Sequence, residues 1–255
     1  MTKRLIIILI LVPFLCFNAY SQNHQNDQIL RETVGNYRQA TVKIPYTGKK
    51  ILNELSGNVS ISSVRDKYAE IVLSPLTVEW FILQNFDYEI LDNPGSKGVL
   101  TSSSVKQAME WESYPMYSQY DSIMQSFALL YPSLCKLDTI GTTNYGKLVL
   151  ALKISDNPGI KEDEPETFYS SSIHGDETAG FILMMRFAEY LLKNYSTNAR
   201  VRNLVDNLEI WINPLANPDG TYGTGNIISS PTRYNANGKD LNRNFPDPDI
   251  TGNVL

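Results

Sequence analysis

Histidine is almost absent from this chain. Its 255 residues include two, His24 and His174, so no site built on several imidazoles can be assembled from them. Cysteine is as scarce, with two. Cys16 lies in an apolar leader, which leaves Cys135 alone, and a single thiol makes no internal disulfide. Stability must then come from the core, from a bound metal, or from both. Cys135 sits in an apolar context, Pro132-Ser133-Leu134-Cys135-Lys136-Leu137, and reads as a buried structural thiol rather than a nucleophile. Long apolar runs are missing too. The longest, Leu5 to Phe17, is broken by Pro13 and falls short of the ~20 residues a spanning helix needs. Positive charge is in deficit, with 22 Lys and Arg against 27 Asp and Glu. That balance argues against nucleic acid and anionic membrane surfaces as partners.

What is present begins with a targeting segment. Lys3 and Arg4 precede the apolar run, and Ala19-Tyr20-Ser21 offers small residues where a signal peptidase reads. Residues 1–21 are therefore expected to be a secretory signal cut after Ser21. The protein would be secreted, periplasmic or at the cell surface, with no stable membrane span after cleavage. Bulky Leu15 before Cys16 speaks against lipid attachment there. Removing Lys3 and Arg4 takes the net charge from −5 to −7.

With 42% hydrophobic residues, the rest can bury a real core. Residues 22–36 are polar and expected to be loose. A small α+β unit follows, ending near residue 95. Ala40–Ile44 and Tyr68–Leu73 read as strands, Lys50–Leu55 as a short helix, and Tyr88–Leu91 as a last strand. Ser74-Pro75 gives a helix start running to about Asn85. Residues 96–110, rich in Ser and Lys, read as a linker. Residues 111–255 then form a second domain. Apolar spacing predicts helices over Tyr120–Tyr131 and Thr178–Leu192. Leu148–Ile154, Thr167–Ile173 and Leu208–Asn213 read as strands, and residues 214–239 as mostly loop. Strands alternating with helices predict an α/β fold with a mixed, largely parallel sheet flanked by helices. No internal repeat is visible.

Chemistry concentrates in three places. His174-Gly175-Asp176-Glu177 follows a predicted strand and opens a predicted helix, the kind of turn beside which open α/β sheets bind ligands. A neutral imidazole and a carboxylate three residues apart can converge on one ion, and this donor mix suits zinc. The same two residues could simply cap or solvate the helix start. Asn217-Pro218-Asp219-Gly220 is by itself a generic turn. Arg233 and Asp240-Leu241-Asn242-Arg243-Asn244-Phe245 gather two arginines and an asparagine. Arginine can grip a carboxylate through two parallel hydrogen bonds or stabilise an oxyanion beside a metal, although surface arginines in a polar loop would look alike.

Taken together and in this order, the motifs resemble those of the zinc metallocarboxypeptidases, the carboxypeptidase A/B and N/E type (peptidase family M14). The resemblance covers residues 111–255 and includes Ile140–Gly146 and Ala151–Ser155. It implies hydrolysis of the C-terminal peptide bond of peptides or proteins through metal-activated water. His174 and Glu177 match two zinc ligands. Arg233, nine residues before Asn242, matches the arginine that polarises the scissile carbonyl. Asn242 and Arg243 match the pair that holds the substrate's free carboxylate. Asp240 matches a carboxylate that orients the first histidine ligand. The unit at residues 22–95 resembles, more loosely, the propeptide that precedes the catalytic domain in secreted members.

The same resemblance sets a deficit. It implies one Zn2+ ion with a third ligand, a His, beyond residue 255, and likewise a Glu general base and a substrate-covering Tyr. The chain is therefore expected to be the N-terminal part of a longer enzyme, inactive and weak in zinc binding as it stands. The alternatives are a non-catalytic module that binds peptide C-termini, or an amidase acting on peptidoglycan stem peptides.

Overall fold

The structure is a computed structural model and describes residues 25–92, 99–243 and 245. The expected signal segment and the turn at Asn93 lie outside these residues. Among the described residues no helix is long and apolar enough to cross a membrane. The chain divides into two compact units, residues 1–93 and 94–255.

The first unit is an antiparallel sheet with helices on one face. A helix over residues 25–37 (α1) leads into β1 (Ala40–Pro45), α2 (Lys49–Ser56), β2 (Ser60–Val64), β3 (Tyr68–Leu73), α3 (Val78–Leu83) and β4 (Glu89–Leu91). The strand order is β2-β3-β1-β4, with every pairing antiparallel. Alternation decides which face is buried: Ala40, Val42 and Ile44 of β1 and Ala69, Ile71 and Leu73 of β3 point into the core. Leu30, Val34, Leu55, Val78 and Phe81 of the helices close it. The Phe81 ring meets Tyr88 edge-on at 5.3 Å, and the Tyr88 hydroxyl donates to Asp27 at 2.9 Å, which ties α1 to the last strand.

Two expectations change here. Residues 22–36 are not loose where described, since α1 buries Leu30 and Val34, four residues apart on one helical face. The helix after Ser74-Pro75 begins at Val78. Ser74 instead folds a tight turn, accepting Leu76 N–H on its hydroxyl and Val78 N–H on its carbonyl.

The second unit carries α4 (Val105–Ala108), α5 (Tyr117–Leu130), β5 (Cys135–Thr142), β6 (Leu148–Ile154), β7 (Glu166–Ser170), α6 (Thr178–Asn194), α7 (Ala199–Val205), β8 (Glu209–Asn213) and α8 (Pro218–Tyr222), with a 3₁₀ turn at Leu241–Arg243. Its sheet order is β5-β6-β8-β7. The mixed α/β class stands, but the expected parallel share does not. Among the described strands of this sheet only β7 and β8 pair in parallel, while β5–β6 and β6–β8 are antiparallel. The short connection from β5 to β6 can only make a hairpin, which accounts for the first of these pairings.

Leu150, Leu152 and Ile154 of β6 with Ile210 and Ile212 of β8 meet Tyr120, Ile123, Met124 and Phe127 of α5 and Phe181, Met185 and Ala188 of α6 in one core. Behind it, Lys153 and Glu209, 5% and 1% exposed, form an ion pair at 2.8 Å. Lys153 also donates to the Ile160 carbonyl and Glu209 accepts Glu162 N–H. The buried charges are thus paired and hydrogen-bonded, as burial demands, and they hold the β6–β7 connection against the sheet.

The expected linker is largely part of this unit. Ser102 N–H donates to the Tyr114 carbonyl and its hydroxyl meets that of Ser113. Ser104 caps α4, which buries Ala108. These serines act as caps and buried partners rather than as solvated spacer.

Cys135 is 3% exposed at the start of β5, and burial pushes its thiol up from 9.0 to about 12. Burial favours the neutral thiol, so this contribution to stability is present below about pH 9 and lost as pH rises toward 12. In a Cys16→Ser background, a thiolate-directed reagent at pH 8 should leave the native protein unlabelled and label it in urea. Rapid labelling of the native protein would show an accessible thiolate.

Candidate functional site

The two parallel strands end at the same edge of the sheet. β7 stops at Ser170, not at Ile173 as the pattern suggested, because Ser172 adopts a left-handed conformation with φ 53°. A non-glycine residue there is strained and needs support from its surroundings. That support is visible: the Ser172 hydroxyl donates to the Glu177 carbonyl at 2.8 Å, and its own carbonyl accepts Asn217 N–H. Beside it, Asn213 at the end of β8 donates to Leu150 O and accepts from the Ser170 hydroxyl, which fixes both strand ends.

His174 and Glu177 stand in the turn before α6. The His174 side chain is 6% exposed and that of Glu177 is 60% exposed. Nδ1 of His174 lies 2.8 Å from Oε1 of Glu177, and Nε2 lies 3.1 Å from Oδ1 of Asp240. Burial pulls the His174 pKa down, but the bonds to Asp240 and Glu177 outweigh it and raise the pKa above its ordinary value.

Asp240 gathers the remaining groups. Its Oδ2 accepts Arg233 Nε–H at 2.8 Å and its Oδ1 also accepts Asn242 N–H at 2.9 Å. His174, Glu177, Asp240 and Arg233 are therefore joined by direct bonds. Asn242 joins them through its backbone, with its residue exposed. The Arg243 side chain donates to the Asn242 carbonyl at 2.9 Å, and its backbone N–H donates to the Asp240 carbonyl at 3.2 Å.

The Asn217-Pro218-Asp219-Gly220 motif turns out to be structural framework. Asn217 caps α8 by accepting Gly220 N–H, with Pro218 in the first turn. The expected loop 214–239 thus contains a helix, and the Asn-Pro pair is the signal that would have found it. Asp219 accepts from the Thr143 hydroxyl and Tyr145 N–H, which anchors the β5–β6 connection. Gly175 and Gly220 press backbone against backbone: a Cβ on Gly175 would stand 2.1 Å from the Gly220 carbonyl carbon.

The donor set can be tested against a zinc ion. Two ligands on a tetrahedral zinc stand roughly 3.3 Å apart, given Zn–N and Zn–O lengths of ~2.0–2.1 Å. The 2.8 Å between Nδ1 and Oε1 needs only a small withdrawal of the exposed Glu177 carboxylate. The nitrogen offered is the one Asp240 does not use, an arrangement that fixes ring orientation at metal sites. The trio Asp156, Glu162 and Glu164, whose donor atoms lie within 4.8 Å of one another, holds oxygen donors only and lacks the nitrogen that suits zinc.

A buried imidazole held by a carboxylate, with a second carboxylate at its free nitrogen and an arginine alongside, defines a protein with a candidate mononuclear metal centre at a sheet edge. The sequence family described as Zinc carboxypeptidase matches residues 120–253, and the chain belongs to that family. Carboxypeptidase D of Homo sapiens is 39% identical over 134 residues, 51% of this chain and 10% of that protein. The carboxypeptidase N catalytic chain of Homo sapiens is 35% identical over 141 residues, 51% of this chain and 31% of that one. The chain thus spans less than a third of either relative. The crystal structure of carboxypeptidase A from Helicoverpa armigera shares the fold with a TM-score of 0.51 at 19% identity, over 82% of this chain and 58% of that one.

Gly175→Ala tests the close approach of the two turns. The neighbouring atoms are backbone and cannot swing aside, so the turns must separate. The variant should melt several degrees lower than the wild type and lose its affinity for zinc, read by calorimetry. An unchanged melting temperature would show that the turns are not packed as described.

Proposed function

We propose that this chain carries the metal-binding and carboxylate-binding part of a zinc metallocarboxypeptidase that removes the C-terminal residue of peptides or proteins. The observation that carries this reading is the Asp240 carboxylate, bonded at once to His174, Arg233 and the Asn242 backbone. His174 and Glu177 would hold the ion, and a third ligand and a general base would be needed to complete the site. Zinc bound there would polarise the scissile carbonyl and acidify a water.

The residues of this chain divide the remaining work. Asp240 keeps the imidazole oriented and leaves Nδ1 for the metal. Arg233, held by Asp240, would stabilise the oxyanion. Asn242 and Arg243 bind the free carboxylate of the substrate, with the bidentate geometry an arginine offers, and so place the last peptide bond at the metal. Secretion through the leader at residues 1–21 and a propeptide-like role for the first unit belong to the same proposal.

Zinc content of the whole protein tests the metal. One ion per chain is expected, lost in His174→Ala and Glu177→Ala. Zinc retained in both variants would remove these residues from the site.

The carboxylate clamp is tested by a cycle. Breaking a charged pair of this kind costs roughly 2–5 kcal/mol, so Arg243→Ala should lower kcat/KM by about thirtyfold or more. Amidating the C-terminus of the peptide should cost as much in the wild type and little more in the variant. Additive losses, or cleavage of internal bonds alone, would overturn the reading. Peptides bound but never cleaved would favour the binding module, and cleavage confined to stem peptides would favour the amidase.

A further inference from the structure

The Asn217-Pro218-Asp219-Gly220 motif has no part in the proposed chemistry, yet its helix touches the candidate ligand segment on both sides of His174. Asn217 Nδ2–H donates to the carbonyl of Ile173, the residue before His174, at 3.2 Å. The Thr221 hydroxyl donates to the carbonyl of Gly175, the residue after it, at 2.8 Å. Both side chains are buried, at 2% and 1% exposure. We propose that Asn217 and Thr221 are positioning residues for the metal centre, bracketing His174 and setting its distance from Glu177.

The physical case rests on which peptide groups are held. The Ile173 carbonyl belongs to the peptide plane that contains His174 N–H, so its bond fixes the entry into His174. The Gly175 carbonyl belongs to the next stretch of the turn, which carries Glu177. Fixing both restricts the rotation of the segment between the two candidate ligands. Thr221 could satisfy its hydroxyl on its own helix, where the Asn217 carbonyl lies 3.3 Å away. The shorter bond is the one to Gly175. Asn217 also reaches the third segment of the site, with the Arg233 carbonyl at 3.5 Å, and Thr232 N–H donates to Gly220 O at 2.8 Å. The contact is close enough to exclude a Cβ at Gly175, so α8 is seated directly on the turn it orders.

This inference rests on the metal reading, and cobalt(II) serves as the probe for both. Visible absorption during titration reports affinity and ligand geometry without any turnover. Asn217→Asp keeps the oxygen that caps Gly220 N–H but turns the donor into an acceptor facing Ile173 O. Thr221→Val keeps the shape and removes the hydroxyl. Each variant should fold, as judged by circular dichroism, and bind cobalt(II) about tenfold more weakly or worse, the usual cost of losing a group behind a ligand, with a shifted visible band. Folded variants with wild-type affinity and spectrum would overturn the proposal and leave the two residues as scaffold only. Should Asn217→Asp not fold, Thr221→Val decides alone. A wild-type cobalt spectrum that survives in His174→Ala would instead overturn the metal reading, and the bracket with it.

Discussion

One buried carboxylate holds the candidate site together. Asp240 has a side chain 5% exposed, and a carboxylate taken out of water must be paired or it is lost to protonation. It is paired three ways, to an imidazole nitrogen, a guanidinium and a backbone N–H. These partners come from three stretches of chain, the first of them distant in sequence: the turn after β7, the segment around Arg233, and the 3₁₀ turn at Leu241–Arg243. Each partner lowers the cost of burying the charge, and the charge in turn fixes where each partner stands. Removing any one leaves the others facing an under-satisfied anion, so the cluster behaves as a unit.

The sheet sets up that meeting. β7 and β8 are parallel, so their carboxyl ends release chain on the same edge, and the turn with His174 and the turn into α8 emerge side by side. Backbone bonds from Ala216 and Asn217 to Ser171 and Ser172 continue the pairing beyond the strands. Glycine on both turns lets the backbones touch. The left-handed Ser172 then breaks the extended path and swings the following residues over the sheet edge. The strain at Ser172 and the glycine contact are two local costs that the surrounding hydrogen bonds offset.

Much of this was legible from residue patterns, and the exceptions have physical causes. β1, β3, β6, α5 and α6 carry enough apolar residues at their own period to be read directly. α1 and α7 bury only two side chains each, Leu30 with Val34 and Val201 with Val205, and so little apolar surface is lost in a polar stretch. β5 lies at the sheet edge and fully buries only Cys135, so it carries no alternation to detect. At the site, His174 and Glu177 were legible because three residues on a turn is a ligand spacing, and Asp240 because the family resemblance supplied it. Asn217 and Thr221 were not, since their role is to hold backbone carbonyls, and no spacing rule reports which carbonyl a buried amide will find.

The two candidate ligands differ sharply in freedom, and the difference bears on how a metal would arrive. His174 is buried and held at Nε2, so its ring has one orientation and Nδ1 one direction. Glu177 is 60% exposed and contacts the ring only at the point where an ion would sit. A proton shared between Nδ1 and Oε1 and a metal bound to both are alternatives for the same space, and a metal displaces the proton as it binds. The buried half supplies direction, because an imidazole that could turn would lose the geometry a metal requires. The exposed half supplies access, because a carboxylate fixed at 2.8 Å would have to be pulled off its neighbour before any ion could enter. Rigidity concentrated at His174, by Asp240 from one side and the α8 turn from the other, is thus compatible with an open Glu177. A site with the two exchanged would place the mobile group at the bottom and the fixed group at the mouth.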